Sequence, residues 1–109
     1  MKPVEQHCIH GAPALNEAEL AAALAALPDW QLNGKRIERE YAFRDYHETI
    51  DFVNLLAAMI HQENHHPELR VRYRHCLVAW TTHSAGNAVS NNDIICAAKA
   101  DAIYEESRA

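Results

Sequence analysis

The feature that most constrains this chain is a change of apolar period at His65-His66-Pro67. Upstream, Tyr46, Ile50, Val53, Ala57 and Ile60 recur at helical spacing, widened by Leu56 and Met59. At 3.6 residues per turn this stripe is one buried face of a helix about five turns long. Downstream, Leu69, Val71 and Tyr73, then Cys76, Val78 and Trp80, alternate as a pleated strand requires. Pro67 enforces the switch, because the residue before a proline is driven out of the α region, so the helix is predicted to end near His66. A long helix that must run straight into a hairpin, with a tight connection near Arg74-His75, leaves few folds open.

The first half follows the same logic. Asn16 with Glu19 forms a capping-box start, Leu20, Leu24 and Leu27 recur at helical spacing, and Pro28 ends the segment. Trp30 and Leu32 and then Ile37 to Phe43 flank Asn33-Gly34, a strong hairpin turn. The second of these strands puts Ile37, Arg39, Tyr41 and Phe43 on one side, with Arg39 intruding in an apolar set. Asp45 and Glu48 start the long helix, and Ser90 to Asp93 opens a last one through Ile94, Ile95, Ala98, Ala102 and Ile103. The predicted fold is α+β: one domain, α-β-β-α-β-β-α, a four-stranded antiparallel sheet with helices packed on one face. Residues 1–14, with Pro3, Gly11 and Pro13, read as a loose arm before a domain at 15–109; His7-Cys8-Ile9-His10 within it offers at most an adventitious soft-metal site.

Composition excludes several functions. A chain of 109 residues holds one core, and a formal charge of −5 argues against a nucleic-acid surface. Arg70, Arg72 and Arg74 alternate, as a solvated strand face would. Three cysteines without a CxxC argue against a disulfide framework and for a reducing compartment. No apolar run approaches the ~20 residues that span a bilayer, and the N-terminus lacks a secretory apolar stretch, so a cytoplasmic location is expected.

The chemistry lies in the histidines. His65 and His66 end the long helix and His83 ends the second hairpin, so three imidazoles are expected at neighbouring element ends. Imidazole alone titrates near neutrality unperturbed, at about 6.5. His61 and His65 are four apart and would share a helix face, the spacing of a helical metal site, but Gln62 and Asn64 stand where the known metal motifs need Glu. Acid–base chemistry therefore leads, with no metal expected, and metal binding by His61, His65, His66 and His83 is the runner-up. Asp93, at the third position of the last helix, reads first as a cap. Trp30 and Trp80 read as core, and His47 and His75 as solvated.

His65-His66-Pro67, Tyr73, Thr82-His83 and Asp93, with Leu27-Pro28-Asp29-Trp30 and the Phe43 to Phe52 stretch upstream, resemble the pterin-4a-carbinolamine dehydratase family over about Leu20 to Ala102. The resemblance implies a cofactor-free lyase that dehydrates 4a-hydroxytetrahydropterin to quinonoid dihydropterin, recycling the cofactor of aromatic amino-acid hydroxylases. It implies His65 and His83 as acid and base in either order, and His66 as the residue that holds the pterin. Pro67, Thr82, Ser84 and Ala85 would supply further contacts and Asp93 support, while His61, which departs from the family pattern, would add a further supporting imidazole beside the site. It also implies a homodimer or homotetramer, a hydroxylase partner, and neither membrane nor direct nucleic-acid binding. A non-catalytic module, such as the dimerisation partner of a homeodomain factor that some members are, is the alternative. Three departures stand out: His61 at a position often acidic, Trp80 at an aliphatic one, and a loop at 84–90 without the usual Gly-Gly-Leu-Thr.

Overall fold

Side-chain caps start all three helices of the computed structural model, which describes residues 1–108. Helix α1 (Glu17–Ala25) begins under Asn16, whose side chain accepts the Glu19 N–H at 2.8 Å. Helix α2 (Tyr46–Glu63) begins under Asp45, which accepts the Glu48 N–H at 2.9 Å. Helix α3 (Asn91–Ser107) begins under Ser90 with Asp93 closing the capping box. Each satisfies amide groups that a helix leaves without internal partners, an effect of about 1 kcal/mol per cap.

The end of α2 differs from expectation. The helix stops at Glu63 because Asn64 takes a left-handed conformation, φ 51° and ψ 42°, before Pro67 can act. A short polar side chain tolerates that region, and a left-handed residue there is a common helix terminator. His65 and His66 are therefore off the helix, and the face that His61 and His65 were expected to share does not exist.

Strands β1 (Gln31–Asn33), β2 (Arg36–Ala42), β3 (Glu68–Val71) and β4 (His75–Trp80) form one antiparallel sheet in the order β1-β2-β4-β3. The two hairpins thus meet along β2 and β4, in a register that pairs Ile37 with Trp80, Arg39 with Val78 and Tyr41 with Cys76. That face is covered by Phe52 and Leu56 of α2 and by Ile94, Cys96, Ala97 and Ala100 of α3. Burying a side chain such as Phe52 or Leu56 contributes roughly 1.5–3 kcal/mol. Tyr73 lies in the β3–β4 turn rather than in a strand and is 78% exposed.

Arg39, the misfit of the alternation, has a use. Its guanidinium lies 4.4 Å from the Tyr41 ring centroid and 2.8 Å from Asp101 Oδ1 on α3. Asp101 also accepts the Tyr41 hydroxyl at 2.6 Å and the Trp30 indole N–H at 3.1 Å, so one carboxylate ties β2 and the segment before β1 to α3. Burial, reinforced by this carboxylate, pushes the Tyr41 hydroxyl far above its ordinary pKa. On the opposite face Arg36 pairs with Glu68 at 3.0 Å and Arg72 with Glu40, as a solvated charged face should.

The segment before Leu15, expected as a loose arm, lies along α3. Lys99 Nζ donates to the Val4 carbonyl at 3.0 Å, and Ala12 is buried. The Glu63 carboxylate, 2% exposed, accepts the Cys8 N–H at 2.8 Å and faces His7 Nδ1 at 2.8 Å. Burial works against its charge, yet the Cys8 amide, His7 and Lys99 together hold the carboxyl below its ordinary range. All three cysteines are free thiols; the sulfurs of Cys8 and Cys96 lie 3.5 Å apart, joining arm to helix. No helix among the described residues is long and apolar enough to cross a membrane.

Candidate active site

Asn64, by ending α2 early, swings His65 over the last residue of β4. The imidazole stacks on the Trp80 indole, with centroids 5.6 Å apart and planes 8° from parallel. Trp80 is fully buried, so it is a fixed floor. This is the consequence of the bulky residue in the strand: it supports the histidine from within the core.

Asp93 holds the same ring from the side. Its Oδ1 lies 2.6 Å from His65 Nε2, and the carboxylate itself is fully buried. Oδ2 accepts the Ser90 N–H and the Thr82 hydroxyl, both at 2.8 Å. Cap and histidine support are therefore divided between the two oxygens of one carboxylate. A buried carboxylate is tolerated when its lone pairs are matched in this way. The hydroxyl protons order themselves: Asn92 N–H donates to Ser90 Oγ at 3.2 Å, and Ser90 and Thr82 are hydrogen-bonded at 2.7 Å. With Ser90 donating to Thr82 and Thr82 donating to Oδ2, the carboxylate is left to accept a proton-bearing Nε2 from His65. In the neutral ring this makes Nδ1 the acceptor.

His83 opens a short 3₁₀ turn, His83–Ala85, just past β4. Its Nδ1 lies 2.6 Å from the Asn87 side-chain oxygen. An amide oxygen only accepts, so Nδ1–H donates and Nε2 is the free nitrogen. Gly86 and Asn87 take left-handed conformations, φ 78° and 56°, that fold the 84–90 loop back until Thr82 bridges Ala88.

His65, His66, Thr82, His83 and Ser84 border one cavity of about 330 Å³. Pro67 lies in an adjoining depression that shares His66 and His83. Ala85 is outside both, and its N–H donates to the Thr82 carbonyl at 3.2 Å. Thr82 turns its hydroxyl inward to Asp93, which makes it a support for His65. His61 is exposed on the last turn of α2 and does not border the cavity. Sequence reading missed Asn64 and Asn92, and it missed Ile9, His10 and Gly11 of the arm, all of which line the cavity. Among the described residues no three His, Cys, Asp or Glu side chains are placed to hold a metal ion. A larger depression of about 620 Å³ between Phe43 and Arg108 contains no histidine, so chemistry rather than size selects the site.

A family model described as pterin 4 alpha carbinolamine dehydratase matches residues 13–103. The chain belongs to that family. A curated relative from Nitrosospira multiformis, provisionally named pterin-4-alpha-carbinolamine dehydratase, is 40% identical over 90% of this chain and 86% of its own length. One from Nitrosomonas eutropha with the same provisional name is 45% identical over 86% of this chain and 83% of its own. The crystal structure of a transcriptional coactivator/pterin dehydratase from Brucella melitensis is similar at a TM-score of 0.78 and 36% identity, over 83% of this chain and 97% of that one. The fold described above is thus shared with the dehydratase family.

Proposed function

We propose that this chain dehydrates 4a-hydroxytetrahydropterin to quinonoid dihydropterin and water by histidine acid–base catalysis. The observation that carries the reading is the His65–Asp93 pair beside His83 on one cavity. In the reaction the N5 lone pair forms the N5=C4a bond as the C4a–oxygen bond breaks; the N5 proton goes to a base, and the hydroxyl leaves as water after taking a proton from an acid. His65, with Nδ1 as its lone-pair nitrogen, suits the base, and a protonated His83, with Nε2 free, suits the acid. Help of this kind contributes about 10²–10⁴-fold to the rate. His66, exposed at the rim, holds the pterin with Ser84, while Pro67 shapes the approach.

The rest of the reading follows from the substrate. The product feeds reductive recycling of a hydroxylase cofactor, in a reducing cytoplasm that keeps the three thiols free. A homodimer or homotetramer, paired through the free edge of β3, and a hydroxylase partner belong to the same proposal. The test is the ultraviolet decay of freshly generated 4a-carbinolamine with and without protein, before and after a chelator. Acceleration that survives chelation and is lost in His65→Ala and His83→Ala is expected. Unchanged decay would overturn the proposal and leave a binding role, such as the one named for the Brucella protein, as the better account.

A further inference from the structure

The cavity has one wall that the proposed chemistry does not use. Three walls come from the end of α2, the end of β4 and the first turn of α3; the fourth is Ile9, His10 and Gly11 of the N-terminal arm. These residues precede the stretch that the family model matches, which begins at residue 13. The wall is nevertheless fixed in place. Asn92 grips both backbone groups of Ile9, accepting its N–H at 3.0 Å and donating to its carbonyl at 2.8 Å. Asn92 is itself 6% exposed, so the clamp is part of the core's edge. One residue earlier the Cys8 N–H reaches the buried Glu63 carboxylate at 2.8 Å. An ionised carboxylate so buried needs its donors, and two of its three neighbours, His7 and Cys8, belong to the arm.

With the backbone anchored at Cys8 and Ile9, the His10 side chain is exposed and its ring nitrogens have no hydrogen-bond partner among the described residues. A pterin is a flat bicycle with donors and acceptors around its whole rim. If its N5–C4a edge lies against His65 and His83, the remainder of the ring extends toward the wall not yet accounted for. We infer that His10 is a substrate-binding residue, hydrogen-bonding the polar rim of the pterin from the clamped arm. The inference rests on the pterin reading proposed above.

The test uses an unreactive 7,8-dihydropterin as probe, titrated into the full chain and into His10→Ala while the His10 ring signals are followed by NMR in the former. The expected result is a shift of the His10 signals on binding and about a tenfold weaker Kd in the variant, the size of one hydrogen bond. Because His10 is exposed, the variant should unfold at the same denaturant concentration as the parent. Binding by the parent with unmoved His10 signals and an unchanged Kd in His10→Ala would overturn this inference and leave the dehydratase reading intact. No binding by the parent, together with no acceleration of carbinolamine decay, would overturn both.

Discussion

Asp93→Asn separates the two tasks of the buried carboxylate. An asparagine has nearly the same shape and settles with its oxygen at the Oδ2 position, where it still accepts from Ser90 and Thr82. Its NH₂ group then faces His65 Nε2, where an accepting oxygen stood 2.6 Å away. The ring has to present a lone pair at Nε2, which moves its proton to Nδ1 and takes away the base proposed for the reaction. The stability cost is one charge-assisted bond exchanged for a neutral one and two bonds weakened, about 2 kcal/mol in all. A domain with roughly 5–15 kcal/mol of stability tolerates this and stays folded at 25 °C. The rate cost is much larger: losing the right tautomer in a serine-protease triad costs about 10⁴-fold, and acid–base help in general is about 10²–10⁴-fold. Urea unfolding and carbinolamine decay measured on one preparation report the two quantities. Asp93→Ala, which removes every bond, should cost about 3–5 kcal/mol and serves as the upper bound on the structural role. If Asp93→Asn loses its expected stability yet keeps the wild-type rate, Asp93 is a cap alone and the division of labour between its oxygens is wrong.

Further outcomes follow from the same geometry. His61→Ala should leave both stability and carbinolamine decay unchanged, since that ring is exposed and away from the cavity; a slowed decay would return His61 to the site. The Glu63 carboxyl is held below its ordinary range, so it contributes stability above the unfolded value of about 4.3 and loses it as pH falls through the depressed native value. The protection of the Cys8 and Ile9 amides against hydrogen exchange, relative to their intrinsic rates, should therefore fall below about pH 4 ahead of the sheet, and arm amides that stay as protected as those of β4 would contradict this. Asp101→Ala leaves the Tyr41 hydroxyl and the Trp30 indole without their shared acceptor, and should destabilise by about 2–3 kcal/mol in urea; a change within error would show that Asp101 is a surface ornament of α3.

Local physics made much of this protein readable in its residues. Helix starts were visible because Asn16, Asp45 and Ser90 satisfy their own helices from within a few residues. The two hairpins were visible because alternation fixes which side of each strand is buried and Asn33-Gly34 fixes one turn; that they join along β2 and β4 was not. The histidines as a group were visible through their chemistry and the spacing of the motif. What failed did so for want of a partner distant in sequence. Arg39 broke the alternation because Asp101, sixty-two residues on, meets it across the core. The end of α2 moved to Glu63 because Asn64 adopts a conformation that no periodicity announces. Asp93 could be read as a cap from its position in the helix, but the His65 ring that comes to its other oxygen lies 28 residues away. Nor could the sequence show that the first residues, punctuated by Pro3, Gly11 and Pro13, are drawn onto α3 by Glu63 and Asn92. Sequence alone thus determined the elements, their order and the family they resemble; the tertiary structure decided that His65 meets Asp93 through Nε2 and which residues wall the cavity. Elements depend on neighbours along the chain, whereas a hydrogen-bonded site depends on groups that only the closed fold brings within 3 Å of one another.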